Sequence, residues 1–588
     1  MKDIIPHILK KEFEVPKEKV LAGAVSRFSP TEKVIFAVLA GVLILSTAVM
    51  LWRVNQSFLI DVPAEGGSLY EGIIGTPRFI NPVIALGDAE RTLTSLVYSG
   101  LLKAEPGGNL IPDLAKSYTV SENGLIYTFT LKDNILFHDG TPVTADDIEF
   151  TIGRTQDPTI KSPRRANWEG VAVEKLGEKQ IRFILKKPYS PFIENATIGI
   201  LPKHIWKNVS PDEFAFSQFN IEPVGSGPYK VASIGRDSGG LIQSYDLVPF
   251  AKYALGKAYI SHLFVRFYPN EKDLVTAYEN GSIGSLNGIA PEEAAALKAK
   301  GARVETAPLP RVFAVFFNQN NAPIFADAEV RRALDAAVPK EEIVEGVLYG
   351  YGTKIDGPIP PGGLSGMSAT STARLSPEER ISEAKKILEK DGWVANADGI
   401  LEKKTKKESR LLKFSLATSN APELKRAAEI IKNSWEKLGV SVTIKVFDTG
   451  DLNQNIIRPR KYDALLFGEI IGRDLDLFAF WHSSQRNDPG LNIAMYVNSK
   501  VDKLLEDARA TADFDERLSK YRQFEEIIRQ ETPAVFTYSP EFIYILPKDI
   551  KGFTFGQITT PGDRFASVNK WYINTDQVWK VFVDNQQQ

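Results

Sequence analysis

The chain has 588 residues, 43% hydrophobic, 24% charged and 10% aromatic; at about 150 residues per domain this is a multi-domain protein, and the composition excludes a disordered, collagenous or polytopic membrane chain. Lys and Arg number 71 against 73 Asp and Glu, a formal charge of −2, so the basic field that nucleic-acid partners require is missing. The absence of cysteine excludes disulfides, thiolate metal sites, Cys nucleophiles and an acylated-Cys anchor, and no cofactor is expected.

In chain order, the first feature is an uncharged run of nineteen residues, Val34 to Trp52, between Lys33 and Arg53. As a helix it would span roughly 28 Å, close to the hydrocarbon thickness of a bilayer. The thirty-three residues before it hold seven basic side chains, Lys2, Lys10, Lys11, Lys17, Lys19, Arg27 and Lys33, whereas the fifteen after Trp52 hold only Arg53. That asymmetry predicts a cytoplasmic segment (1–33), one transmembrane helix (34–52) and an extracytoplasmic remainder, at the cell membrane in a single pass. A cleaved signal peptide is the competing reading; its apolar core would be long and its leading segment about twice the usual length. Residues 53–66 read as a short tether of up to about 50 Å.

Beyond the tether lie no second membrane-length run, internal repeat or low-complexity tract. Leu125, Tyr127, Phe129 and Leu131 alternate with Ile126, Thr128 and Thr130, and the turn Lys132-Asp133-Asn134 precedes Ile135-Leu136-Phe137, which predicts a hairpin. His138 in Phe-His-Asp-Gly reads as a turn residue, and Thr144 with Asp147 as a helix cap. Ser376-Pro377-Glu378-Glu379 opens a helix that runs to Lys390. Leu424, Ala428, Ile431, Trp435 and Leu438 recur at helical spacing before Gly439, and a strand follows at Val442, Ile444 and Val446. Another strand is expected at Tyr462 to Phe467, and two helices between Val501 and Arg529, broken near Asp513. The pattern is that of sheets with helices packed on them. The five histidines are scattered, none within four residues of another, so a local helical metal pair is absent. There is no His-Glu-x-x-His, Gly-x-Ser-x-Gly or phosphate-loop motif, which argues against a hydrolase; a binding protein, not an enzyme, is expected.

Several segments, in order, resemble the family 5 extracellular solute-binding proteins, the peptide- and nickel-binding receptors of ABC importers. They are Gly75-Thr76-Pro77-Arg78-Phe79-Ile80-Asn81-Pro82, Ile111 to Tyr118, Gly124 to Phe129, Phe137 to Asp147, Gly225-Ser226-Gly227-Pro228-Tyr229, Phe317-Asn318, Val330 to Leu334, Asp391-Gly392-Trp393 and Tyr496 to Leu504. The likeness covers about residues 67–555. It implies an α/β, bilobal, periplasmic-binding-protein-like fold of type II, in the large three-subdomain peptide-receptor form, behind the N-terminal helix. Lobe one would comprise subdomain I (67–99 with 224–310 and 540–588) and subdomain II (100–223), and lobe two residues 311–539, with hinge crossings near Arg311 to Asn318 and Phe536 to Pro540.

The resemblance also implies a function: a monomeric receptor that captures an oligopeptide between its lobes and delivers it to the permease subunits of an ABC importer. Chelated nickel, haem or a short saccharide are alternative cargoes. Gly468 to Asp476 resembles the cleft-lining stretch whose backbone pairs with the ligand, which makes Glu469, Ile470, Ile471, Arg473 and Asp474 candidate contacts, with Asp476 ranked below them. An amine-holding aspartate would stand where this chain has Gly472, and Leu475 replaces a proline of the family pattern. Arg78 and Phe79 in the opening loop, Asn318 at the hinge strand, Trp481 as an aromatic plane, and Asn492 and Tyr496 at the cleft edge complete the candidate ligand contacts.

Overall fold

The computed structural model describes residues 23, 26–362, 376–404 and 409–584. The basic side chains of Lys2, Lys10, Lys11, Lys17 and Lys19, and the parts of the predicted second lobe at 363–375 and 405–408, lie outside the described residues. The chain forms two units, a small one of Met1–Ala64 with Asn574–Gln588 and a large body, Glu65–Ile573.

In the small unit the helix Pro30–Phe58 begins at a capping box of Ser29 and Glu32 with Pro at its first turn, and none of its residues is buried. Its 29 residues extend about 43 Å, longer than the predicted span. Ser46 donates its hydroxyl back to the Leu43 carbonyl at 2.9 Å, so that polar group is satisfied within the helix. The expected tether is not a loose linker. The helix continues to Phe58, and Leu59–Pro63 then pairs antiparallel with Thr575–Trp579, Leu59 opposite Trp579 and Val62 opposite Asp576. Trp579 donates its indole N–H to Asn55 at 2.9 Å and lies 6.2 Å from the Phe58 ring. Residues 574–584, expected in lobe one, belong to this unit.

The body is two-lobed, and one thirteen-residue strand, Ala534–Leu546, runs through the sheets of both lobes. In lobe one its second half lies between Arg303–Pro308 and Ser285–Asn287, and the sheet continues through Ser68–Ile74, His262–Tyr268, Ile242–Pro249 and Tyr229–Arg236. In lobe two its first half pairs with Arg311–Phe317, followed by Ala464–Ile470, Lys413–Ser419 and Ser441–Phe447. Val312, Ala314 and Phe316 enter one core and Val315 and Phe317 another, which explains the continuous apolar run of a strand covered on both faces. The chain passes between lobes at Leu309–Pro310 and at Pro540. The first crossing therefore precedes the predicted Arg311 to Asn318, because that segment is fully paired inside lobe two; the second falls at Pro540, where expected.

A separate four-stranded antiparallel sheet, in the order Ala115–Val120, Ile126–Leu131, Gln180–Ile184, Ala172–Gly177, builds the second part of lobe one. The predicted hairpin is wrong in its partner. Ile126–Leu131 has Ala115–Val120 on one edge and Gln180–Ile184 on the other, so neither edge is free for residues 135–137, and Asn134, at φ 57°, turns the chain away. The Asp139-Gly140 turn is present, with Gly140 at φ 88° and the Phe137 N–H bonded to Thr141 O at 2.8 Å. His138 accepts from Gly225 N at Nδ1 (3.3 Å) and donates from Nε2 to Gly227 O (3.1 Å). It thereby holds the glycine loop as a neutral ring, its pKa pushed down to about 4 mainly by burial.

Helices follow the sequence closely. Pro377–Lys390 carries the expected capping box, and Pro422–Leu438 ends at Gly439 with φ 98°, burying Leu424, Ala428, Ile431, Trp435 and Leu438. Ser499–Ala510 and Phe514–Glu531 are separated at Asp513, which caps the second.

Candidate functional site

The strand Ala464–Ile470 pairs with Arg311–Phe317 along its whole length, but with Lys413–Ser419 only at Ala464 and Leu465. The outer backbone edge of residues 467–470 therefore has no strand partner among the described residues. Ile471 ties the end of this strand to the crossing, its N–H donating to Pro310 O at 2.7 Å. The following loop, Gly472 to Asp476, turns onto lobe one. Leu475 takes φ 45°, a left-handed conformation that a proline ring at φ near −65° cannot adopt.

Three charged residues of this loop form a seam. Arg473 donates to Asp563 at 3.0 Å. Asp474 faces Arg517 at 3.1 Å. Asp476 accepts a two-pronged contact from Arg509, Nε at 2.9 Å and Nη2 at 2.5 Å, and a hydrogen bond from the Tyr189 hydroxyl of lobe one at 3.0 Å. Arg517 also donates to the Ser190 hydroxyl of lobe one. Burial pushes Asp474 up to about 6, with Arg517 opposing the shift and Asp476 adding to it. Across the seam, burial pushes Glu194 up to about 7 against the pull of Arg473.

Beside the seam lies a cavity of about 160 Å³, walled by lobe-one residues including Arg91, Thr94, Tyr98, Lys103, Asp113 and Arg164, by Asp563, and by Arg473 of lobe two. Four buried polar atoms on its wall lack a protein partner: Thr94 Oγ1, Tyr98 hydroxyl, Asp113 Oδ1 and Arg473 Nε. Buried polar groups are normally paired, which sets these four atoms apart from the rest of the wall. Asp113 is pushed up to about 6 by burial, with Lys103 opposing.

Of the predicted contacts, Arg473 and Asp474 stand on the seam. Ile470 is 60% exposed at the strand end, whereas Ile471 is buried in a lobe-two core. Glu469 is buried with neither carboxylate oxygen partnered, and burial drives its pKa well above the ordinary range. Arg78 extends over the Phe79 ring at 5.4 Å and lies 3.7 Å from Glu90, while Phe79 packs on the lobe-one core.

Asn318, Trp481, Asn492 and Tyr496 are not brought to the seam. Asn318 donates to Arg460 O and accepts from Asn320 and Asn321 N–H groups. Trp481 is fully buried among Phe316, Tyr496, Phe524 and Phe536. Asn492 bonds the backbone of Trp481, His482 and Tyr496, and the Tyr496 hydroxyl donates to Glu531 at 2.6 Å. Asn318, Asn492 and Tyr496 pair inside lobe two because a buried polar group there needs a local partner.

Sequence reasoning missed Tyr189, Ser190, Glu194, Arg509, Arg517 and Asp563. The only signal at Asp563 is a capping pattern from Thr560, with Pro561 next, which announces a turn and says nothing about Arg473.

The family described as bacterial extracellular solute-binding proteins, family 5 middle, matches residues 109–490. The chain is 29% identical over 518 residues to the oligopeptide-binding protein AppA of Bacillus subtilis, covering 87% of this chain and 92% of that protein. The solved structure of that AppA in complex with a nonapeptide aligns at TM-score 0.64 and 28% identity, covering 87% of this chain and all of the other. NikZ of Campylobacter jejuni in complex with Ni(L-His) aligns at TM-score 0.65 and 28% identity, over 86% and 99% of the two chains.

Proposed function

Since the chain belongs to the bacterial extracellular solute-binding proteins of family 5, we propose that it is a membrane-anchored receptor that captures oligopeptides between its lobes and passes them to the permease subunits of an ABC importer. Its chemistry is binding, with no bond made or broken. The observation that carries this reading is the polar cavity beside the seam, whose buried Tyr98, Thr94, Asp113 and Arg473 atoms await partners. The open backbone edge at 467–470 is suited to strand addition, in which main-chain bonds hold a peptide without reading its side chains. Capture requires that ligand bind the closed arrangement more tightly than the open one, and contacts to both lobes supply that difference. The charge-free stretch of the helix Pro30–Phe58 is long enough to anchor the receptor as a single-pass protein.

A peptide present at a hundred times its dissociation constant should stabilise the protein by about 2.7 kcal/mol. No rise in Tm with any peptide pool would overturn the peptide reading. Cells producing the chain from residue 53 onward behind a cleavable export signal should release it, whereas the full chain stays with the membrane fraction; equal retention would overturn the anchor. Chelated metal is the second reading, favoured by Gly472 where a peptide receptor would hold an amine.

A further inference from the structure

The apolar surface of the small unit continues past its membrane-length run. Phe58, the last residue of the helix, is 54% exposed, and Trp579, Val581 and Phe582 are exposed by 45%, 57% and 64%. Single exposed apolar side chains need no explanation, but these four gather at one end of one helix. Trp579 is held there by its indole hydrogen bond to Asn55 and by the Phe58 ring, and Lys580–Asp584 continues from it as a helical turn.

The helix sets the level of this cluster. The uncharged run ends at Trp52, so Asn55 lies about 4.5 Å further along the axis and Phe58 about 9 Å. The headgroup zone outside the hydrocarbon is about 5–8 Å deep on each side, so Trp579, bonded to Asn55, stands within it and Phe58 at its outer limit. The ribbon formed by Leu59–Pro63 and Thr575–Trp579 grades in polarity away from that level. Its pairs next to the helix, Leu59 with Trp579 and Ile60 with Val578, are apolar, whereas Asp61 with Gln577 and Val62 with Asp576 bring in the charges. Gln577 donates to Asp61 at 3.2 Å. At about 3.3 Å per pair, the change takes place within one or two residues, as the surroundings themselves change at a membrane–water boundary.

From this placement we infer that Trp579, Val581 and Phe582 form a second, peripheral contact with the membrane, seated among the phospholipid headgroups beside the helix that crosses it. Tryptophan suits that depth because its ring is apolar and its N–H is polar, and here Asn55 already satisfies the N–H. The inference rests on the helix Pro30–Phe58 spanning a bilayer. Side chains of this number bind a lipid surface weakly and reversibly by themselves. Beside an inserted helix they need only stay where the ribbon holds them, so the contact orients the small unit on the membrane without replacing its anchor.

The chain has no cysteine, so a single introduced thiol carries a nitroxide label to one chosen position. The test uses the full chain in phosphatidylcholine vesicles, labelled through Leu43→Cys in the middle of the helix, Val581→Cys in the proposed contact, or Asp576→Cys at the polar end of the ribbon. Collisions of each label with oxygen, which partitions into lipid, and with a water-soluble nickel chelate are measured by electron paramagnetic resonance; circular dichroism verifies that each variant is folded. Position 43 should meet oxygen and exclude nickel, position 576 should meet nickel, and position 581 should lose nickel access relative to 576 while gaining oxygen. Adding Phe582→Asp, which leaves the ribbon pairs in place, should return nickel access at 581 to the level at 576; an unchanged value in that variant would overturn the contact. If position 43 lies in lipid while 581 matches 576, the contact is overturned and the anchor stands. Shielding of 581 from both reagents means that protein, such as a second copy, covers it, which also overturns the lipid contact. If position 43 itself meets the nickel chelate, the anchor falls and the contact with it.

Discussion

Glu194 and Asp474 approach one seam from opposite lobes, in the company of Arg473, Arg517 and Asp563, and burial lifts them to about 7 and about 6. Each holds its proton more tightly in the folded protein than in the unfolded chain, where carboxyls titrate near about 4. The folded state therefore binds the extra protons between those values, and stability present below about pH 4 is lost as pH rises through about 6 and 7. Tm should fall over that window, and Glu194→Gln should flatten the fall; parallel curves for the two proteins would exclude the assignment. Glu469 lies deeper, with no partner for either oxygen. Replacing it with Met, of similar volume, should raise stability by about 1–3 kcal/mol, read as a higher denaturant midpoint. At Gly472 an added Cβ meets nothing within 4 Å, so space does not forbid the aspartate that the resemblance implies there. Gly472→Asp should therefore gain affinity for peptides with a free amine over N-acetylated ones, by about tenfold for one charge-assisted bond.

At the scale of elements, the helices Ser499–Ala510 and Phe514–Glu531 act as a bracket, because Arg509 and Arg517 project from them to hold Asp476 and Asp474 against Tyr189 and Ser190. Arg517→Met should leave Asp474 buried and unpaired, lower ligand affinity about tenfold, and enlarge the radius of gyration in solution scattering. The helices themselves were legible in the sequence: the cap at Ser376, the break near Asp513, the stop at Gly439 and the buried stripe from Leu424 to Leu438 are encoded within a few residues. Strand partners were not. Ile126–Leu131 is chosen by segments near residues 115 and 180, and no local turn outweighs two full edges of hydrogen bonds. The strand Leu59–Pro63 likewise finds its partner more than 500 residues away, which nothing in its own composition discloses. The candidate site shows the same division. Arg473 and Asp474 could be read from the pattern around them, whereas Tyr189, Glu194 and Asp563 are joined to them only by the fold. Aromatic and amide residues such as Trp481 and Asn492 read equally well as pocket or core from sequence, and burial resolved them as core.

For the whole molecule, the division into a small unit and a body makes a direct prediction. A chain covering residues 65–573 should fold, unfold in a transition near that of the full protein, and keep its ligand affinity, since the hydrophobic cores of the lobes lie within it. Loss of binding in that fragment would show that the small unit supports the site. Ending the chain before Ala534 should instead abolish cooperative unfolding of both lobes, because the missing strand lies inside each sheet. That shared strand also orders events during biogenesis. Every other strand of that sheet precedes Ala534–Leu546 in the chain, so each lobe waits with a gap in its middle, its neighbouring strands exposed to mispairing. Folding is thereby completed late: the nascent chain is most vulnerable to proteases and aggregation in the interval just before that strand arrives.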